Sequence, residues 1–522
     1  MAHDHAEYSC TCCARHRQPL REALAAVSRR DFMLGLGGAA VAGGLTATRP
    51  AGAQEASGPT TRPAIRPASE LVVLPVLTYY TPQRQPQTSW RPWGGIQTEA
   101  QADEEVRRIE KELAGLARKD PAIRFLPVAK ARRPEEGAEL RRRPHDVTLV
   151  YAAGGPEQTL DVFAGPDQWT IWFLRHRSGP VSLYYEILHP RFMRKGSDRY
   201  VQPGIGVQDV VVDEYDDLAW RLRSLLALRR TLGQRIVAIG GAGGWGDGHR
   251  LAPPISREKW HLDIIDVPYP DVGRRIDGLK KDPAAVAEAK RQADAYLKRS
   301  NVKLVCDRRF VDNAFLLYRV FKDIMAEHRA AAMTIQHCMG TIMPLSETTA
   351  CLPLSLINDE GLLAFCESDF VVIPAGILMH HITGLPVFLN DPTWPHHNMV
   401  TIAHCTAPSR MDGKHYEPVE IHTHFESDYG AAPKVAMKKG QITTNVIPDF
   451  AAKKWVGFIG KVLANPFHDI CRSQTDISVE GDCDRLVQDM RGFHWMTVYG
   501  DCRREVGYAI GKLGIDWEDV SA

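Results

Sequence analysis

Two carboxylates and an imidazole each close an apolar, strand-like run between Cys351 and Cys405. Glu367 ends LLAFCE, Asp391 ends PVFLND, and His404 ends the run that leads into Cys405. In parallel α/β sheets, ligands collect at the carboxyl ends of strands. Two acids and a histidine delivered to such edges can hold a divalent cation. Taken singly, each residue has a plainer reading. An acid after a strand commonly forms a turn or caps a helix, and a histidine there is often simply satisfied in place. The combination points to a metal, because the acids end successive runs and more histidines follow.

Elements must bring these residues together. The Cys351–Cys405 stretch reads as an apolar helix, a strand, a second apolar helix and two further strands. Upstream, strands alternate with helices, which argues α/β. Strands are expected at 71–80, 147–153 and 169–173, with a charged amphipathic helix at 99–118. The basic stretch 130–143 reads as a solvated helix face. A second unit starts near 205, with a helix at 216–232 and a buried strand at 235–240. The run GGAGGWGDG at 240–248 mimics a phosphate-cradling loop. It lacks GxGxxG spacing, and no clear helix starts directly after it, so a substrate-facing loop is expected instead. Segments 302–306, 311–328 and 333–337 continue the βαβ rhythm. After His404, the segments 418–424, 440–447 and 455–463 are short and broken by Gly or Pro. A strand at 495–499 and a helix at 503–513 close the chain. The expected fold is α/β: two Rossmann-like open-sheet domains (70–204 and 205–385), then a mixed, β-rich C-terminal domain (386–522).

The pattern LINDEG-x4-CESD-x14-TGLPVFLND, followed by a strand into His404–Cys405, resembles the L-fucose/L-arabinose isomerase superfamily, most of all its fucose-isomerase-like branch. GFHWMTVYGDCRREVGYAIGKLGI, from Gly492 to Ile515, resembles that family's closing segment. The resemblance covers about 330–410 and 490–515 and is only general in the N-terminal half. It implies that Glu367 and Asp391 are metal-binding carboxylates and also the acid–base pair, and that His494 is the C-terminal metal-binding histidine. His404 falls near a ligand histidine of the arabinose-isomerase branch and stands as a fourth ligand or a substrate contact. His337 is a weaker candidate. The family often has Cys-Trp-Pro at that point, whereas this chain has His337-Cys338-Met339-Gly340, a departure that bears on substrate more than on metal.

The implied chemistry is aldose–ketose isomerisation through a cis-enediolate. It needs a base beside the carbonyl and a charge to hold the enediolate. A divalent ion chelated by two sugar oxygens supplies that charge. Carboxylates with histidine suit Mn2+ or Mg2+. A site with no cysteine ligand argues against structural zinc. Trp90-Arg91-Pro92-Trp93 is read either as a sugar-stacking or intersubunit loop, or as a plain surface loop. By resemblance, the active protein is a homo-oligomer. The alternatives are a non-isomerising carbohydrate-binding protein, or another metal-dependent carbohydrate-active protein, on the same fold. No G-x-S-x-G elbow supports a serine hydrolase, and no haem or iron–sulfur spacing supports a redox protein.

Composition fits a globular chain. Its 522 residues exceed one core and suggest about three domains. Hydrophobic residues make up 44% and charged residues 24%, with a net charge of +1. Nothing in this balance argues for nucleic acid or an acidic membrane surface. No window reaches the roughly 18 uninterrupted apolar residues of a spanning helix. Ser28-Arg29-Arg30-Asp31-Phe32-Met33 resembles a twin-arginine signal. A Gly/Ala-rich run and Ala51-Gly52-Ala53 follow. Residues 1–53 are therefore expected to be a signal peptide, 54–69 a linker, and the mature chain periplasmic or otherwise exported by the twin-arginine translocase. That route carries folded cargo, so metal can load before export. Cys10, Cys12, Cys13 and His16 would be lost on processing. The eight later cysteines contain no CxxC pair and read as buried free thiols, with a Cys471–Cys483 bridge left open.

Overall fold

The computed structural model describes residues 67–91, 95–179, 192–195 and 202–522. The expected signal peptide, its cleavage point, the Cys10–His16 cluster, most of the linker, and Pro92 and Trp93 lie outside the described residues. The described residues belong to one unit, Pro63–Ala522.

The first sheet is parallel and has six strands. They are β1 (Leu71–Thr78), β2 (Ile123–Phe125), β3 (Ala129–Ala131), β4 (Val147–Ala152), β5 (Trp169–Leu174) and β6 (Val210–Val212). The order is β2-β1-β4-β5-β6, with β3 also on β1. β4 is buried throughout, the unbroken apolar run of a strand covered on both faces. Pro75 sits in the middle of β1 without breaking the sheet. β2 pairs with residues 71–73 and β3 with residues 76–78, so the gap between them falls at Leu74–Pro75. A proline has no N–H to offer there. The helix Glu99–Lys119 covers this sheet and starts at a capping box: Gln101 N–H donates to the Thr98 hydroxyl, and Thr98 N–H to the Gln101 carboxamide. Such a cap is worth about 1 kcal/mol.

The next run gives β7 (Arg235–Ile239), β8 (Asp263–Val267), β9 (Val302–Leu304), β10 (Ala332–Ile335) and β11 (Leu363–Cys366). Four of these form a parallel sheet in the order β11-β10-β7-β8. The chain turns from one side of β7 to the other between β8 and β10, which is where ligands bind in open α/β sheets. β9 does not continue this sheet. It pairs instead with β14 (Val419–His424), which pairs with β15 (Tyr429–Val435). A helix, Gly248–Lys259, does start directly after the glycine-rich run. Pro253 and Pro254 inside it hide its pattern in the sequence.

The C-terminal part closes into a barrel. Its strands are β12 (Phe388–Pro392), β13 (Met399–His404), β16 (Ile442–Ile447), β17 (Lys454–Ala464), β18 (Ser473–Ser478) and β19 (Trp495–Tyr499). The antiparallel order β16-β19-β12-β13-β18-β17 returns to β16 through the β16–β17 pairing. Closure removes free edges. β20 (Asp516–Asp519) adds to β17 in parallel. The strands ending near Asp391 and His404 belong to this barrel, inside the β-rich segment expected from 386 onward; of the three residues, only Glu367 follows a parallel strand.

The helix Ile373–Thr383 is buried from Ile373 to Met379 and packs against β19 and the helix Tyr215–Thr231. A helix apolar on all sides must be covered on all sides. It stops at Gly384, whose φ of 69° is the left-handed geometry a C-terminal cap needs. The last helix, Arg503–Gly511, packs on the same Tyr215–Thr231 helix. Beside it, Lys512 and Tyr508 both bond the fully buried Asp209. Among the described residues, no helix is long and apolar enough to cross a membrane.

Candidate metal centre

Four segments distant in sequence meet at the barrel rim. β11 ends at Cys366, and the next two residues turn the chain sharply: Glu367 and Ser368 have φ of 63° and 48°. Successive left-handed non-glycine residues cost about 1–3 kcal/mol each and persist only where the surroundings impose them. Here the imposition is visible. Gly243 bridges to Asp369, with Gly243 N–H donating to Ser368 O and Phe370 N–H to Gly243 O. The glycine-rich loop thus clamps the turn and brings Trp245 to Glu367, where its indole N–H donates to Oε2 at 2.8 Å. The loop leaves β7 through Gly240, whose φ is 79° and where a Cβ would meet the Tyr269 ring at 2.5 Å.

From the barrel, Asn390 pairs with Trp495, and Asp391 with Ala403. This register places Asp391, His404 and His494 on adjoining strands. His494 Nε2 lies 3.3 Å from Asp391 Oδ1 and 3.5 Å from Glu367 Oε2. His404 Nε2 lies 3.7 Å from Glu367 Oε1. The two imidazole centroids are 5.8 Å apart. Ligating atoms of Asp391, His404 and His494 lie within 4.8 Å of one another, as do those of Cys366, Glu367 and His404. The structure therefore brings Glu367, Asp391, His404 and His494 together. His337 is exposed and outside these groups. Trp90 carries Arg91 over its ring at 5.0 Å, and nothing described links that loop to the centre.

His494 is fully buried and His404 is 1% exposed. Glu367 keeps 37% of its side-chain surface, so its carboxylate is reachable from solvent while both imidazoles are not. His494 Nδ1 bonds Asp369 Oδ2 at 2.7 Å, and His404 Nδ1 bonds the Thr406 hydroxyl at 3.2 Å. These outer bonds turn both Nε2 atoms inward, where they are buried and make no hydrogen bond. A carboxylate behind a histidine is the usual support of a metal ligand.

The charges reinforce one another. Burial pushes Glu367 up, but the adjacent His404 and His494 imidazoles outweigh it and hold the carboxylate well below its ordinary range. Burial pushes both imidazoles down. Glu367 and Asp391 nonetheless raise His404 to about 9. Asp369 and Glu367 raise His494 to about 10. As ionisable groups alone, both rings carry protons at neutral pH, and a cation would replace those protons. Burial drives the Cys366 thiol well above its ordinary range, so it is protonated on its own. Two carboxylates and two inward imidazole nitrogens fit a divalent cation of the manganese type.

Three participants have no assigned role in the sequence reading. Asp369 sits in the CESD motif, two residues after Glu367, and that spacing was its signal. Phe493 stacks on Trp245 at 4.4 Å and 21° and is 36% exposed. Trp245 had one cue, an indole inside a glycine-rich loop.

Over 200 residues the chain is 22% identical to a sulfoquinovose isomerase from Clostridium sp. (strain MSTE9). The match takes in 36% of this chain and 44% of that protein, so the chain spans less than half the length of the curated relative it matches. No family model matches the chain.

Proposed function

We propose that this chain is a metal-dependent aldose–ketose sugar isomerase, of the L-fucose/L-arabinose type, working through a cis-enediolate. The observation that carries the reading is the convergence of Glu367, Asp391, His404 and His494 on one opening, beside the half-exposed Trp245–Phe493 stack. The similarity to a sugar isomerase supports it.

Glu367, Asp391, His404 and His494 would hold the cation, Mn2+ or Mg2+. When bound, it supplies positive charge beside the sugar oxygens as the enediolate forms. The chain does the rest. Trp245 and Phe493 offer an apolar face for a sugar ring or carbon chain. Glu367 is kept ionised by its neighbours and is open to the cleft, so it can accept a proton from C1 or C2. Asp391 lies across His494 from it, positioned to return a proton to the neighbouring carbon. The reverse division of labour uses the same two carboxylates. Asp369 and Thr406 fix the imidazoles and take no part in proton transfer.

The reading includes export. The twin-arginine-like segment would deliver a folded, metal-loaded enzyme to the periplasm, the two parallel sheets acting as Rossmann-like units of a homo-oligomer. The test is an isomerisation screen of purified protein with manganese in deuterated water, using L-fucose, L-arabinose and sulfoquinovose. Formation of the ketose with deuterium at its C1, and deuterium at C2 of the recovered aldose, supports the reading. No exchange with any aldose in a manganese-loaded protein refutes it.

A further inference from the structure

Behind the barrel rim lies a second cluster that the chemistry above does not use. Cys351 begins the helix Cys351–Asp359, Cys405 follows the last residue of β13, and His424 ends β14. The two sulfurs and one ring nitrogen of His424 lie within 4.8 Å of one another. All three residues are buried, at 3%, 4% and 6% exposure. His424 Nδ1 is buried and makes no hydrogen bond. Cys471, in the loop before β18, is half-buried and packs on Cys351 and Cys405. None of the described cysteines forms a disulfide. Cys483 begins the helix Cys483–Asp489 and is no partner of Cys471.

Two thiols and an imidazole gathered this closely, with a third thiol packed beside them, are an unusual way to fill a core. Sulfur packs well, but a buried ring nitrogen without a partner costs free energy. Tetrahedral zinc takes sulfur at about 2.3 Å and nitrogen at about 2.0 Å, which sets ligand atoms slightly under 4 Å apart. The Cys351, Cys405 and His424 donors need only a small contraction to reach that spacing, and the neighbouring Cys471 thiol would close in as the fourth. We propose that Cys351, Cys405, Cys471 and His424 bind a soft or borderline divalent cation of the zinc class, as a closed sulfur-and-nitrogen site separate from the Glu367 centre. Its ligands come from a helix start, two barrel segments and the β14 ladder, so the ion would tie these elements together. With four protein ligands and no open position, its role is structural.

The test uses cobalt(II) as probe on the full chain, reduced and stripped of metal. Cobalt at the Glu367 centre meets oxygen and nitrogen and gives no sulfur-to-metal charge transfer. The expected result is a sulfur-to-cobalt band in the near ultraviolet with intense visible bands, saturating at a single equivalent and displaced by zinc. It should persist in Glu367→Gln, whatever that change does to isomerisation. It should vanish in Cys405→Ser. Cys471→Ser changes a half-buried residue and guards against misfolding in that variant; it too should lose the band while circular dichroism is unchanged. No sulfur band in the reduced wild-type chain overturns the proposal. So does a band that survives both cysteine variants, or a thiol titration showing that two of these cysteines form a disulfide when equimolar zinc is present.

Discussion

Asp369→Asn probes the support of the metal centre without touching a ligand. Asp369 and His494 are 1% and 0% exposed, and their bond is 2.7 Å. Asparagine keeps the size but has one oxygen for two donors, so accepting from the His494 ring turns its NH2 toward the Val371 N–H that Asp369 now holds at 3.0 Å. What disappears is one negative charge behind the imidazole. Two unit charges about 4 Å apart interact by about 4 kcal/mol at an effective dielectric of 20. The cation feels only part of this through the ring, and a neutral hydrogen bond can survive. Outer-shell changes of this kind weaken metal binding about 10–100-fold, or about 1.4–2.7 kcal/mol. If the amide instead turned its NH2 toward Nδ1, the ring proton would move to Nε2 and block the ligand position outright. Competition titration with a fluorescent chelator measures the manganese affinity. A thermal melt in chelator confirms that the variant is folded. Unchanged affinity in folded Asp369→Asn would falsify the assignment of His494 as a ligand held from behind.

Four further outcomes are expected. Glu367→Gln should lower kcat about 100- to 10,000-fold, the range of a lost general base, with a near-native melt; full activity would sink the site assignment. Manganese affinity should rise with pH between 6 and 9, because the cation displaces protons from His404 and His494, raised to about 9 and 10. The metal-free fold has the opposite trend: the stability from those raised values is complete below the unfolded histidine pKa of about 6.5 and is lost as pH climbs through 9–10, so its Tm should fall there. Trp245→Phe should spare stacking but lose the bond to Glu367, whereas Trp245→Ala should also raise KM; equal KM values for both would separate the indole from sugar binding. Lys512→Met leaves Asp209 buried without its cation and should cost about 3–5 kcal/mol in a denaturant titration; a shift under 1 kcal/mol would show that Tyr508 alone satisfies the acid.

What the sequence disclosed followed from local signals. Glu367 stood out because an acid ends an apolar run before a second apolar helix begins. Asp391 and His404 were visible as strand ends in a β-rich segment, but closure of that segment into a barrel was not. Antiparallel barrel strands and buried parallel strands look alike when both faces are covered, and closure depends on the pairing of β16 with β17, which no local pattern encodes. β9 was misplaced for the same reason. The helix Gly248–Lys259 was concealed by two prolines that its packed environment tolerates. Trp245 and Asp369 work through contacts spanning over a hundred residues, and the thiol cluster joins positions 351, 405, 424 and 471 without any spacing motif.

His404 and Cys405 are consecutive, yet the imidazole joins the oxygen-rich centre while the thiol joins the sulfur cluster. Side chains alternate across a strand, so both destinations are set by the same six-residue pairing of β13 with β18. A slip of one residue would present a thiol to the carboxylates and an imidazole to the sulfurs. An insertion or deletion within residues 399–404 would therefore act as an exchange of hard for soft donors, altering which ion each place prefers. The ladder of backbone bonds in β13 works as an alignment gauge for two chemistries at once.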